Sequence, residues 1–196
     1  MRQQRQPASV TAGAIVLAAG RSSRFGADKR LARLPSGEGI LHTVLNNLAA
    51  VELPVLLCLK EADIGLPEGT QVRTLISAHA GGGMGATLAE AARHIDQWES
   101  TLVVLGDMPW VHPQTYRNVS MHCAAGAIAV PTYAGQRGNP VCFSRTFYPL
   151  MRRLGGDRGA RSIVDAHPDA RVDVDSDDPG VLLDIDTPED MLQRPT

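Results

Sequence analysis

Aromatic side chains are scarce. Two Trp, three Tyr and three Phe amount to 4% of the 196 residues, so any core has to be built from Val, Leu, Ile and Ala. Cysteine is rarer still. Cys58, Cys123 and Cys142 are far apart in the sequence, each among apolar neighbours. No CxxC pair exists, which argues against a thiolate zinc site and leaves buried, reduced thiols as the plain reading. Neither sign of charge dominates. A net charge of -2 speaks against broad nucleic-acid binding, though it leaves room for a local basic pocket. Long hydrophobic runs are missing too, so no membrane span is expected. The apolar "GAIVLAAG" behind Arg2 and Arg5 has the outline of a signal peptide. It is short and is followed at once by more cations, so it reads as a first buried strand. The expected location is cytoplasmic.

With 43% hydrophobic residues, the chain can bury a sizeable core. The expected organisation is a polar, flexible arm over residues 1–11 and a single domain over 12–196. Apolar strands are predicted at 14–17, 54–60, 72–77, 101–105, 126–131 and from Pro140. Residues 40–50 carry Leu41, Val44, Leu45 and Leu48 at helical spacing. Further helices are predicted after the glycine run at 81–85, from about His112, from Arg145 and within "DRGARSIVDAHP". "VLLDIDTPEDML" reads as a strand turning into a last helix at Pro188. Strand and helix alternate, and the strands are continuously apolar. This predicts an α/β fold whose mostly parallel sheet is covered by helices on both faces, with a small antiparallel part at "GNPVCFS".

Open parallel sheets bind ligands beyond the carboxyl ends of their strands. Three predicted strand ends stand out: Ala19-Gly20, Gly106-Asp107 and Asp184-Ile185-Asp186. After the first comes a small-residue loop bearing Arg21, Arg24, Lys29 and Arg30. Such a loop lets backbone N–H groups approach phosphates while cations neutralise them, or it is a solvated basic turn. It matches neither the Walker pattern nor GxGxxG. Asp107, held between Gly106 and Pro109, suits Mg²⁺ or the cap of a helix. Asp184 and Asp186 share one face of the predicted strand and are metal candidates. Thr187, Pro188, Glu189 and Asp190 form a well-capped helix start. "GGGMG" opens a helix that could meet an anion or a flat base, or is simply flexible. The histidines, His79 and His112 included, read as ordinary.

Taken in order, "LAAGRSSRFGADK", "GDMP", "RGNPVCF", "GDRGAR" and "LLDIDTPED" resemble the MobA-like nucleoside triphosphate transferases, and most of all their molybdenum cofactor cytidylyltransferase branch. The resemblance runs from Ile15 to Met191. It implies a Rossmann-like nucleotidyltransferase fold. It also implies transfer of CMP from CTP to a phosphate-bearing pterin, with Mg²⁺ and release of pyrophosphate. Leu17, Ala18, Ala19, Gly20, Arg21, Arg24, Lys29, Gly83 and Gly85 would then bind the nucleotide. Lys29, Arg24 and Asp107 would be catalytic. Asp107 with Asp186, or Asp184 as the fallback, would hold the metal. Arg137 and Asn139 would face the acceptor, and Asn139 stands where relatives often carry His. A molybdenum hydroxylase or its chaperone is the implied protein partner, with no nucleic acid and no membrane. "LAAG" is similar to the cytidylyl branch and the "DK" pair to the guanylyl branch. A guanylyltransferase, NMP transfer to another phosphate-bearing acceptor, and a non-catalytic nucleotide-binding cofactor chaperone are the competing readings.

Overall fold

The computed structural model describes residues 12–20, 32–60 and 72–192. Its strands form a single eight-stranded sheet. Four of them, β1 (Ala12–Ala18), β2 (Val55–Leu59), β3 (Val72–Ile76) and β4 (Ser100–Leu105), run parallel in the order β3-β2-β1-β4. Next to β4 the sheet turns mixed. β7 (Val141–Ser144) pairs antiparallel with both β4 and β5 (Ile128–Tyr133), and the short β6 (Gln136–Arg137) also pairs antiparallel with β5. β8 (Arg171–Asp175) joins β5 in parallel. The antiparallel part therefore lies at "RGNPVCFS", as the break in strand–helix alternation predicts.

Alternation along the strands sorts the core into two layers. Ile15, Leu17, Leu56, Cys58, Val103, Ile128 and Phe143 face α2 (Met84–Ala91), α4 (Tyr148–Met151) and α5 (Arg161–Ala166). Ala14, Val16, Leu57, Leu102, Val104 and Cys142 face α1 (Ile40–Ala49) and α3 (Pro113–Met121). A continuously apolar strand is what burial on both faces requires. At the amino edge, Gly13 makes room for the indole of Trp98, whose ring would lie 2.1 Å from a Cβ on that residue.

Two expectations are corrected. "VLLDID" is not a strand. Residues Pro179–Leu182 form a 3-10 turn and 183–187 continue outside the sheet. Its apolar residues are spent as single anchors, with Val181 and Ile185 fully buried. Its backbone likewise bonds to separate loops and not to a ladder. The helix expected at Pro188 is one 3-10 turn, Glu189–Leu192, and Asp190 reaches back from it to accept from the N–H groups of Asp186 and Thr187. The eighth strand is instead β8, where the sequence is mostly polar.

Candidate active site

Parallel register puts the ends of β1 and β4 side by side, with Leu17 opposite Leu105. Just past that pair, the N–H of Gly106 donates to Leu17 O at 3.0 Å. A Cβ on Gly106 would sit 3.0 Å from that of Ala18 and 3.1 Å from Leu17 O, so glycine lets the two strand ends close without either neighbour giving way. Ala18 and Ala19 are buried and Gly20 is exposed, so the chain surfaces at the carboxyl edge. Asp107 follows at the same edge, half-buried, with its Oδ1 shielded from solvent. The stretch after it is braced from α1, where the Asn47 amide donates to Pro109 O and Val111 O at 3.1 and 3.0 Å.

The third motif reaches this edge by a different route from the one predicted. Ile185 N–H donates to Asp107 O at 3.0 Å. The Ile185 side chain is buried with Leu34 and Ile40, against Trp110 and Met191. Asp184 and Asp186 flank this anchor, the first exposed and the second half-buried. The segment acts as a strap across the end of the sheet. Four residues before Ile185, the carbonyl of Val181 accepts from Asn139 N–H at 2.8 Å. A Cβ on Gly138 would lie 2.2 Å from that same carbonyl, so the glycine of "RGNP" is needed for the strap to dock. Arg137, exposed, has its Nε 3.7 Å from Asp173 Oδ1 on β8.

One important residue of the strap is missed by the sequence reading. Asp178 is 4% exposed, and its carboxylate accepts from His112 N–H at 2.8 Å, Thr115 Oγ1 at 2.6 Å and Gly180 N–H at 2.9 Å. The signal was available: Asp-Pro-Gly is the signature of a turn in which an Asp side chain accepts from the backbone two residues on.

Gly83 and Gly85 meet another loop. The N–H of Gly85 donates to Gly156 O at 2.8 Å, and a Cβ on Gly85 would lie 2.8 Å from both Arg158 O and Gly155 O. Gly83 has a φ of 91°, which favours glycine. These two glycines thus tie "GGGMG" to "GDRGAR". Arg21, Arg24 and Lys29 lie outside the described residues.

The cysteines also carry a surprise. Cys123, 19 positions before Cys142 by number, packs against the core layer that holds Cys142, and the two sulfurs come into contact. That contact draws the Cys123 thiol down against its burial, whereas burial and the Cys123 sulfur push Cys142 up.

This geometry sits in a stretch of sequence with known counterparts. Residues 14–172 match the MobA-like NTP transferase domain. The chain belongs to that family. Among characterised relatives, it is 29% identical to the purine catabolism protein PucB of Bacillus subtilis (strain 168), over 92% of this chain and 95% of that protein. Among solved structures, it resembles Rv0371c of Mycobacterium tuberculosis H37Rv, with a TM-score of 0.75 and 30% identity over 94% of this chain and 96% of that one. Rv0371c has also been solved in complex with manganese. A nucleotidyl transferase from Methanothermobacter superposes with a TM-score of 0.78 at 20% identity, covering 93% of this chain and 95% of the other, and supports the fold alone.

The MobA-like NTP transferase fold accounts for the convergence of strand ends. Whether the residues suit a divalent ion is a matter of donor chemistry. Among the described residues, no three His, Cys, Asp or Glu side chains gather as a closed metal cage. Asp107, with the carboxylates that flank Ile185, puts oxygen donors at the carboxyl edge of the sheet. A hard ion that completes its shell with waters and phosphate oxygens needs no more than that, so the donor set fits. Among the described residues no helix is long and apolar enough to cross a membrane.

Proposed function

We propose that this MobA-like NTP transferase moves CMP from CTP to the phosphate of a molybdopterin-type cofactor and releases pyrophosphate. The observation that supports the reading is the pair of backbone bonds, Gly106 to Leu17 and Ile185 to Asp107, which draws the end of β1, residues 106–107 and the "DID" strap to one edge. An acceptor phosphate oxygen attacks the α-phosphorus. The bond from the α-phosphorus to the bridging oxygen breaks, and its electron pair leaves with pyrophosphate. The acceptor is already ionised near neutral pH, so no general base is needed. Catalysis is then positioning plus stabilisation of charge.

Each residue has a stated part. Leu17, Ala18, Ala19, Gly20 and Arg21 seat the nucleotide. Arg24 and Lys29 meet its phosphates, and Lys29 offsets charge on the leaving group. Asp107 and Asp186 would hold Mg²⁺, with Asp184 as the fallback ligand. That ion, when bound, supplies Lewis-acid neutralisation of the phosphate oxygens. Gly83 and Gly85 line the nucleotide's side of the cleft, and Arg137 and Asn139 the acceptor's. The name of PucB sets that relative in purine catabolism, which agrees with a molybdenum hydroxylase, or its chaperone, as the recipient of the product.

A pyrophosphate-release panel of CTP, GTP, ATP and UTP with Mg²⁺ and molybdopterin acceptor tests this. CTP is expected to be used best, because Ala19 adds a methyl where a purine would need room. GTP preferred would point to guanylyl transfer. Nucleotide binding without pyrophosphate release would point to a cofactor chaperone.

A further inference from the structure

The turn that follows β3 is held in a way the transfer chemistry does not use. Ser77 continues the sheet past the strand end, its N–H donating to Leu59 O at 2.7 Å. Leu59 is opposite Ala18 on one side and Ile76 on the other. Ser77 therefore lies in the same row as Ala19, two strand spacings away, or about 10 Å. That is a span suited to a nucleoside. From Ser77 the chain runs through a 3-10 turn, Ala80–Gly82, to Gly83 and the start of α2.

On the second turn of α2, the Glu90 carboxylate reaches back to this turn. It accepts from Ser77 Oγ at 2.7 Å and lies 3.2 Å from His79 Nδ1. Ser77 Oγ in turn accepts from His79 N–H at 3.3 Å, closing a small network over the turn. The Glu90 side chain is only 16% exposed, and Ser77 is buried. Burial pushes the Glu90 carboxyl up, and the hydrogen bonds from Ser77, His79 and Ala78 more than offset this, so the group stays ionised below the usual 4.5. His79 O in turn accepts from Gly82 N–H at 2.8 Å, passing the restraint to the glycine run. At its other end the run is held by Gly156 O. The segment is clamped at both ends, and one clamp is a side chain that need not touch a ligand.

We propose that Glu90 is a positioning residue for the donor nucleotide, its carboxylate fixing residues 77–83 so that the Gly83–Gly85 backbone is preformed for the base. This rests on the nucleotidyl-transfer reading above. A merely structural clamp would lower stability without favouring one substrate. A positioning residue shifts nucleotide KM and leaves both kcat and acceptor KM in place.

The test is steady-state kinetics of Glu90→Ala, Glu90→Gln and Ser77→Ala with CTP–Mg²⁺ and acceptor, together with thermal melts. Glu90→Ala should raise KM for CTP about tenfold with kcat within about twofold. Ser77→Ala and Glu90→Gln should each raise it about threefold, because each keeps part of the network. The Ser77→Ala/Glu90→Ala double variant should be no worse than Glu90→Ala alone, as expected of partners in one network. If Glu90→Ala does not fold, the two milder variants decide. Unchanged CTP KM with a lowered melting temperature would overturn the proposal, as would an equal rise in both KM values or a fall confined to kcat. Wild-type turnover decides the transfer reading separately. If the wild type binds CTP without turnover, the same fold-changes are read in Kd by calorimetry. A wild type that does not bind CTP overturns the proposal.

Discussion

Asp107 and Asp178 are both aspartates pinned at the carboxyl edge of the sheet, the first bonded to the strap of residues 178–186 and the second its opening residue, yet they are furnished in different ways. Asp178 is fully enclosed and saturated by two backbone N–H groups on one oxygen or the other and a threonine hydroxyl. Its charge even reaches the neighbouring Tyr116, where burial and then Asp178 push the phenol above its ordinary range. Asp107 is half-buried, and its backbone carbonyl receives the strap at Ile185. A carboxylate enclosed by protein donors in this way is scaffold, whereas Asp107 stands just past the ends of β1 and β4, where the proposed chemistry needs a carboxylate. The comparison teaches that the acidic residues at this edge divide by their surroundings and not by their order in the chain.

Charge removal at the two positions should separate these roles most sharply. Asp107→Asn is expected to lower pyrophosphate release by about three orders of magnitude, roughly 4 kcal/mol in the transition state, while the urea midpoint hardly moves. Asp186→Asn should come close to this and Asp184→Asn fall well short, and Lys29→Ala should cost about 2–4 kcal/mol on the same assay. An Asp107→Asn enzyme with wild-type kcat/KM would remove Asp107 from the site. Asp178→Asn should do the reverse. It leaves donors facing an amide and should cost about 2–3 kcal/mol of stability by urea unfolding, with kcat per folded molecule within about threefold. A kcat collapse at full stability would assign Asp178 to the chemistry. The smallest effect concerns the thiols, where the same logic of surroundings applies. Burial, and then Glu90, push Cys58 up to about 12, and Cys142 is likewise raised, whereas Cys123 is lowered. At pH 7.5 a thiol reagent should therefore consume about one equivalent quickly from the native protein, and Cys123→Ser should abolish that phase with little change in activity. Fast reaction at two or more thiols would show that these surroundings do not protect Cys58 and Cys142.

The central strands β2, β1 and β4 were legible from residue pattern because burial on both faces leaves continuous apolar runs, while β3, at the end of the sheet with three of its five residues exposed, gave a weaker signal. The meeting of Ala18, Gly106 and the "DID" segment was also legible, since strand ends of a parallel sheet share an edge. Why the third member arrives there was not. "VLLDID" is apolar enough for a strand, but its burial comes from Val181 and Ile185 plugging gaps between loops. β8 was missed for the opposite reason. In "RVDVD" only Val174 is buried, and an edge strand with charged, exposed residues carries almost no hydrophobic signal. The nearness of Cys123 to Cys142 and the clamp of Ser77 and His79 on Glu90 depend on register across the fold, which spacing along the chain does not encode.

The indole of Trp98 against Gly13 and that of Trp110 beside Ile185 sit at opposite edges of the same sheet. They are the chain's two tryptophans. In spectroscopic terms the molecule carries its own pair of reporters. With Trp98 replaced by Phe, the remaining emission comes from half-buried Trp110 and follows events at the strand-end cleft. With Trp110 replaced, it comes from an enclosed ring that changes only when the amino edge of the sheet comes apart. Events beside Ile185 and the integrity of the fold can then be followed separately, one in each single-tryptophan variant, with no label added.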